Sequence, residues 1–277
     1  MVTVVFVRFL AYCVLLLTVG SACLADPPNN YYATATGKTG LAFRSALHNI
    51  IDDHRVIKYS SKNPDTADAL AKLDADPNNP NSVILIYSRR SEAISNFGTT
   101  SGWNREHLWC NSYGIDKRGP AYSDLHNLKP ADASVNSARS NKIYDTSDTS
   151  DAKYQKPGHP EAKLTSEDSD SWEPPADVRG EIARAAFYMD LRYSGDKANE
   201  NDLQLTNDLS AISLDNVFFG SLDTLLEWHI ADPVDAAERT RNDLVYFGTT
   251  RGTETRLWIT QRGWWRSTVT RRASRVS

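Results

Sequence analysis

Cysteine is almost missing from this chain: 277 residues carry three, and Cys13 and Cys23 lie in the N-terminal run. Only Cys110 lies beyond residue 25, so the remainder cannot form an internal disulfide. A domain of about 250 residues buries a sufficient core without one, and export permits disulfides without requiring them. Long hydrophobic runs are also scarce. The one uninterrupted apolar stretch, Phe9 to Val19, is short of the roughly 20 residues that cross a bilayer. Positive charge is in short supply where it would matter for a polyanion. Residues 26–250 hold 23 basic against 34 acidic side chains, net −11, within a whole-chain charge of −4. That balance argues against a protein gripping nucleic acid over a broad face, and leaves room for a local basic cleft with a metal ion. A hydrophobic content of 40% is ordinary for a globular protein.

The N-terminus has the pattern of a secretory signal peptide over residues 1–25. Arg8 is the one charge before the apolar run, and the small residues Gly20, Ser21, Ala22 and Ala25 follow it. Cleavage is expected after Ala25. Lipid attachment at Cys23 is the weaker reading, because Gly20 stands where such signals carry Leu. The chain is therefore expected to be secreted or periplasmic, with no membrane span in the mature protein.

Periodicity sorts the rest into one α+β domain. Leu41, Phe43, Leu47, Ile50 and Ile51 recur at helical spacing and predict a helix over 41–54. A short helix is predicted over 67–73, and Val83 to Tyr87 reads as a buried strand. Residues 105–109 predict a strand, 111–123 a turn-rich loop, 124–128 a second strand and 131–141 a helix, with Asp132 an acid of its first turn. Residues 145–175 are polar and rich in Ser, Asp and Pro, and read as a surface excursion. Helices are predicted over 177–193, with one apolar face, over 222–230 and over 235–246.

Chemistry-bearing residues crowd into the strand–loop–strand–helix stretch: Arg105-Glu106-His107, Asp124-Leu125-His126-Asn127-Leu128, Asn136, and Arg139 with Asn141. Phosphodiester hydrolysis needs a base to activate water, and a neutral imidazole suits that task. It needs a cation to neutralise charge on the nonbridging and leaving oxygens. Carboxylate and amide oxygens suit Mg²⁺, and a guanidinium holds the phosphate in line. Taken singly, each residue is more economically a surface or core group, and their ordered co-occurrence is what points to a site. His48, His54 and His159 are read as ordinary polar positions, and His229 as structural.

These motifs resemble the bacterial endonuclease I family of secreted nucleases, within the ββα-metal (His-Me finger) group. The resemblance rests on Asn104-Arg105-Glu106-His107-Leu108-Trp109, Arg118-Gly119-Pro120, Asp124 to Pro130 and Val135 to Asn141. Tyr31-Tyr32, Leu85 to Ser88, Ala183 to Tyr193 and Trp228 to Asn242 extend it over roughly residues 31–247. It implies a single domain with a ββα-metal core surrounded by helices. It implies His107 as general base, Glu106 and Asn136 as ligands of Mg²⁺ (Mn²⁺ or Ca²⁺ being alternatives), and Arg139 or Arg118 as the phosphate contact. Arg105, Asp124, His126, Asn127 and Asn141 would support the site. The implied substrate is DNA, with RNA as a second, cut with little sequence preference to leave 5′-phosphates. No obligate protein partner is implied, and a monomer is expected.

The chain departs from the family twice. Cys110 replaces a proline that would stiffen the strand exit, which predicts a modest loss of stability or precision. Residues 251–277 form an Arg-rich tail, with seven Arg against Glu254 alone. Back-translated and read one frame over, Thr250 to Gln261 becomes Gln-Gly-Asn-Arg-Asn-Pro-Phe-Met-Asp-His-Pro-Glu, which is the family's own continuation. A frame slip between about Phe247 and Thr250 is the favoured explanation, and a basic nucleic-acid arm the competing one. Two rivals to the nuclease stand beside it. One is a non-catalytic exported protein that binds metal or nucleic acid, inactivated by the altered tail. The other is a metal-dependent phosphodiesterase of small substrates.

Overall fold

The computed structural model describes residues 30–62 and 64–247. The expected leader and the Arg-rich tail lie outside the described residues.

The described chain runs α1 (Gly40–Ile51), α2 (Thr66–Leu73), β1 (Ala75–Asp76), β2 (Asn79–Ile84), β3 (Ser91–Ala93), β4 (Trp103–His107), β5 (Leu128–Asp132) and α3 (Ala133–Arg139). It continues through β6 (Ile143–Tyr144), β7 (Ser166–Glu167), β8 (Ser171–Glu173), α4 (Arg179–Arg192), β9 (Gln204–Leu205), β10 (Phe218–Phe219), α5 (Leu222–Ala231) and α6 (Ala236–Phe247). The sheets are small: β1-β2-β3, the antiparallel pair β4-β5, β6-β8-β7 and the parallel pair β9-β10. Mixed α+β is thus the observed class.

α4 is the central helix. The sequence predicts one apolar face, yet twelve of its fourteen residues are buried, Ile182, Phe187 and Met189 together with Arg184, Asp190 and Arg192. A helix buried all round must pair its polar groups. Arg184 meets Glu238 and the Asp232 carbonyl, Asp190 meets Arg44 at 2.7 Å, and Arg192 meets Glu200 at 3.3 Å. The flanking helices α1, α5 and α6 are thereby tied to one axis.

β4 and β5 pair in register from Trp103 opposite Asp132 to His107 opposite Leu128, and α3 follows at once. The predicted order of strand, loop, strand and helix is therefore present, with shifted bounds. β5 starts where the predicted second strand ends. Residues 124–127 form a turn, because the Asp124 carboxylate accepts from the His126 N–H (2.8 Å) and the Asp124 carbonyl accepts from Asn127 and Leu128. Asp132 is the N-cap of α3, its carboxylate accepting from Ser134 and Val135.

Two other expectations need correction. The apolar run at 83–87 is buried as expected, but β2 ends at Ile84 and the Ile86 N–H instead bonds the Pro130 carbonyl of β5 at 2.9 Å. Residues 145–175 are not merely a surface excursion. They contribute β7 and β8 and bury Trp172 and Ala162 in the main core, against Tyr87 in the case of Trp172.

Candidate active site

Pleating puts successive side chains of β4 on opposite sides. Asn104 and Glu106 face α3, whereas Trp103, Arg105 and His107 face the other way. On the α3 side, Glu106 Oε1 accepts from Tyr87 Oη at 2.6 Å and from Arg139 Nη1 at 2.9 Å. Glu106 is buried, and burial pushes its carboxyl above the usual range, with Arg139 and Tyr87 opposing that rise. Both side-chain hydrogen bonds fall on Oε1. Asn136 of α3 donates from Nδ2 to Asn104 Oδ1 (2.7 Å) and to the Arg105 carbonyl (3.3 Å). Its Oδ1, on the other side of the amide, has no hydrogen bond among the described residues. One carboxylate oxygen from β4 and one amide oxygen from α3 are hard donors of the kind Mg²⁺ accepts while retaining most of its water.

His107 ends β4. Its Nε2 lies 2.9 Å from the Tyr122 carbonyl, which can only accept, so Nε2 carries the proton and Nδ1 is the basic nitrogen. The ring stacks on Tyr122 and Tyr59, with centroids 4.8 and 5.6 Å away. Burial is the largest influence on the imidazole and pushes it down to about 4, so it is neutral at pH 7. Arg105, on the same face, pairs with Asp65 at 3.1 Å and lies over Tyr59 at 4.4 Å.

The two arginines named as phosphate contacts have different surroundings. Arg118 sits in the loop between β4 and β5 with 80% of its side chain exposed, held by Asp116 at 2.8 Å. Arg139 is 1% exposed. Beyond Glu106 it donates to the carbonyls of His107 (3.1 Å) and Leu108 (3.0 Å), and it lies over Tyr144. A guanidinium spent in this way has no donor directed at solvent, and its contacts hold Glu106 and the end of β4.

The residues expected to support the site fasten the chain around β4 and β5. Asn127, wholly buried, accepts from the Trp109 N–H at 2.7 Å and donates to the Trp109 carbonyl at 3.2 Å. Asp124 accepts from Tyr188 Oη (2.9 Å) and Tyr193 Oη (2.6 Å), which anchors the turn to α4. His126 packs on Tyr188 at 4.5 Å. Asn141 receives Ser112 on its side chain and Tyr113 on its carbonyl, tying the loop to the end of α3. Cys110 is buried, and burial pushes its thiol up to about 12, so it stays protonated.

A family model for endonuclease I matches residues 39–251. The chain belongs to the endonuclease I family. It is similar to extracellular ribonuclease of Bacillus subtilis (strain 168), 42% identical over 79% of this chain and 71% of the relative. It is equally similar to extracellular ribonuclease of Bacillus amyloliquefaciens, 42% identical over 78% and 70%. Endonuclease-1 of Buchnera aphidicola is 42% identical over 26% of this chain and 27% of its own. By family the chain is thus a nuclease, with relatives named as extracellular. No helix among its described residues is long and apolar enough to cross a membrane.

Sequence reasoning missed three residues that surround the candidate site. Tyr87 supports Glu106, and its place in a similar segment was the only signal. Tyr59 stacks on His107 from well outside the motifs. Tyr122 acts through its carbonyl, and a backbone role leaves no mark on side-chain identity. His48, read as an ordinary position, instead forms with Asp52 and Asp196 a cluster of metal-ligand spacing.

Proposed function

We propose that this protein is an exported endonuclease that hydrolyses phosphodiester bonds of DNA, and of RNA beside it, with little sequence preference. The observation that carries the reading is His107 at the end of β4: neutral by burial, its Nε2 proton pinned to a carbonyl and its Nδ1 lone pair uncommitted. In a ββα-metal core built from β4, β5 and α3, Glu106 and Asn136 would hold Mg²⁺, with Mn²⁺ or Ca²⁺ as alternatives. The cation would neutralise charge on the phosphate and the departing oxygen. His107 Nδ1 takes a proton from water. The resulting hydroxide forms the new P–O bond as the P–O3′ bond breaks, and O3′ takes a proton from solvent water, leaving a 5′-phosphate and a 3′-hydroxyl. Arg118 contacts the phosphate, and Arg139 holds Glu106 in place. His107 and Glu106 leave β4 on opposite faces, so the working groups gather around the strand's end and not along one side of it. RNA is included because relatives matching most of the chain are named ribonucleases.

The test is digestion of plasmid DNA and of a long RNA by the purified protein, with Mg²⁺, with EDTA, and with His107→Ala. Metal-dependent cutting lost in the variant, with product ends that a phosphatase must open before relabelling, is the expected result. A folded wild-type chain that cuts neither polymer would remove the proposal.

A further inference from the structure

His48 lies on α1, away from the β4–α3 site, and only 8% of it is exposed. Its Nδ1 is 3.0 Å from the Leu191 carbonyl near the end of α4. A carbonyl only accepts, so Nδ1 carries the proton and Nε2 presents a lone pair. That nitrogen faces oxygens: Asp196 Oδ2 at 3.2 Å and Asp52 Oδ2 at 3.9 Å. Ser194 Oγ is 3.4 Å away, but its single hydrogen has a nearer acceptor in Asp196 Oδ1 at 3.1 Å. Lys197 supplies a positive charge to Asp52 at 3.0 Å, but the lone pair facing Asp196 calls for one of its own, either a second proton on the ring or a metal ion.

The spacing favours the metal. Ligands bonded at about 2.0–2.1 Å in a tetrahedron stand roughly 3.3 Å apart; His48 and Asp196 at 3.2 Å match that spacing, and Asp52 at 3.9 Å must move inward by about half an ångström to join them. A proton on Nε2 serves one carboxylate, and Asp52 at 3.9 Å is beyond a hydrogen bond. The ring is oriented as metal-bound histidines are, its far N–H anchored to a backbone carbonyl. The Asp196 side chain is 46% exposed, so solvent can enter and water can complete the shell. The turn that presents Asp196 is itself constrained. Gly195 has φ +74°, and a Cβ there would meet the Asp202 backbone at 3.0 Å.

We propose that His48, Asp52 and Asp196 form a second, structural metal site for a Zn²⁺-type dication, which pins α1 to the segment following α4. One imidazole with two carboxylates suits such an ion better than the all-oxygen donors at Glu106 and Asn136 suit it. Lys197 competes for the same charge, standing 3.0 Å from Asp52 Oδ2 and 3.0 Å from Asp53. Its removal by Lys197→Met therefore tightens the site.

The experiment uses tag-free protein stripped with chelator. Zn²⁺ is titrated by calorimetry and followed by thermal melting, and Co²⁺ serves as the spectroscopic probe. Wild type should bind one Zn²⁺ with a rise in Tm and a tetrahedral Co²⁺ spectrum, neither reproduced by Mg²⁺. Asp196→Asn, which alters an exposed side chain and leaves the buried ring alone, should weaken Zn²⁺ binding at least tenfold and abolish the Co²⁺ spectrum. His48→Gln should do the same, and Lys197→Met should strengthen binding several-fold. Mg²⁺-supported cutting should be unchanged in Asp196→Asn. Absence of Zn²⁺ binding by wild type overturns the proposal and assigns the pair to a His48–Asp196 salt bridge. So does Zn²⁺ binding that persists undiminished in Asp196→Asn.

Discussion

At the scale of single residues, Arg118 and Arg139 separate two roles that a motif does not distinguish. Removing the exposed Arg118 as Arg118→Ala should leave Tm unchanged. It should lower kcat/KM about 10–100-fold, the value of one charge-assisted hydrogen bond of about 1.5–3 kcal/mol. Arg139→Met should instead destabilise the fold by about 3–5 kcal/mol, because it strands Glu106 as a buried charge beside Tyr87 and opens two carbonyls. Urea unfolding of both variants checks the contrast, and equal stability losses would refute it. His107→Ala should cost about 10²–10⁴ in kcat, the usual worth of a positioned base. The pH profile tests the environment of the base. With the imidazole pushed down to about 4, it stays unprotonated until the pH falls near that value. The acid limb of kcat/KM should therefore lie well below the pH of about 6.5 at which an ordinary histidine titrates. A limb centred near pH 6.5 would show that His107 is more solvated than this structure has it.

At the scale of elements, the site depends on short strands whose ends are fastened by side chains. Asn127 takes both backbone groups of Trp109 just past β4, in place of a partner strand. Asn127→Ala leaves a buried donor and acceptor unmade, with an expected loss of about 1–3 kcal/mol in urea unfolding. A second fastening is Asp74, at the end of α2, which joins β5 through Lys129 (2.8 Å) and α6 through Arg241 (2.9 Å). Burial alone would raise its carboxyl, but Arg241 and Lys129 outweigh burial and hold it below the usual carboxylate range. A depressed carboxylate contributes its full stability above the unfolded pKa of about 3.9, and loses it as pH falls through the lower folded value. Wild type should therefore lose stability more steeply below about pH 4 than Asp74→Asn, which starts lower and has no such titration. Parallel acid-unfolding slopes would contradict the assignment.

At the scale of the whole molecule, an acidic body must act on a polyanion. Net −11 over residues 26–250 allows few phosphate contacts, and the loop between β4 and β5 offers Lys117 and Arg118 as exposed cations. Binding of a catalytically inactive variant to duplex DNA should thus show a shallow salt dependence. The slope of log K on log salt should be no steeper than about −3, since each neutralised phosphate adds roughly −0.9. A slope near −8 would mean a broad basic face that the described residues do not show.

The sequence by itself determined the family, the helices and the order of the motifs. Apolar periodicity is local, and the Glu106-His107, Asp124 to Leu128 and Asn136 segments each carry their chemistry within a few residues. It also marked Asp132 at the start of α3, as an acid of the first turn where the fold makes it the N-cap, since capping is local too. What the tertiary structure alone decided is where side chains end. Arg139 looks like a solvated helix cation until Glu106 and the exit of β4 close over it. Residues 124–127 alternate like a strand, but Asn127 spends its amide on Trp109, eighteen positions earlier in the chain. His48 and Asp196 are 148 residues apart, and only the packing of α1 on α4 brings them within 3.2 Å. Those contacts are long-range, and no local pattern encodes which distant partner will remove a polar group from water.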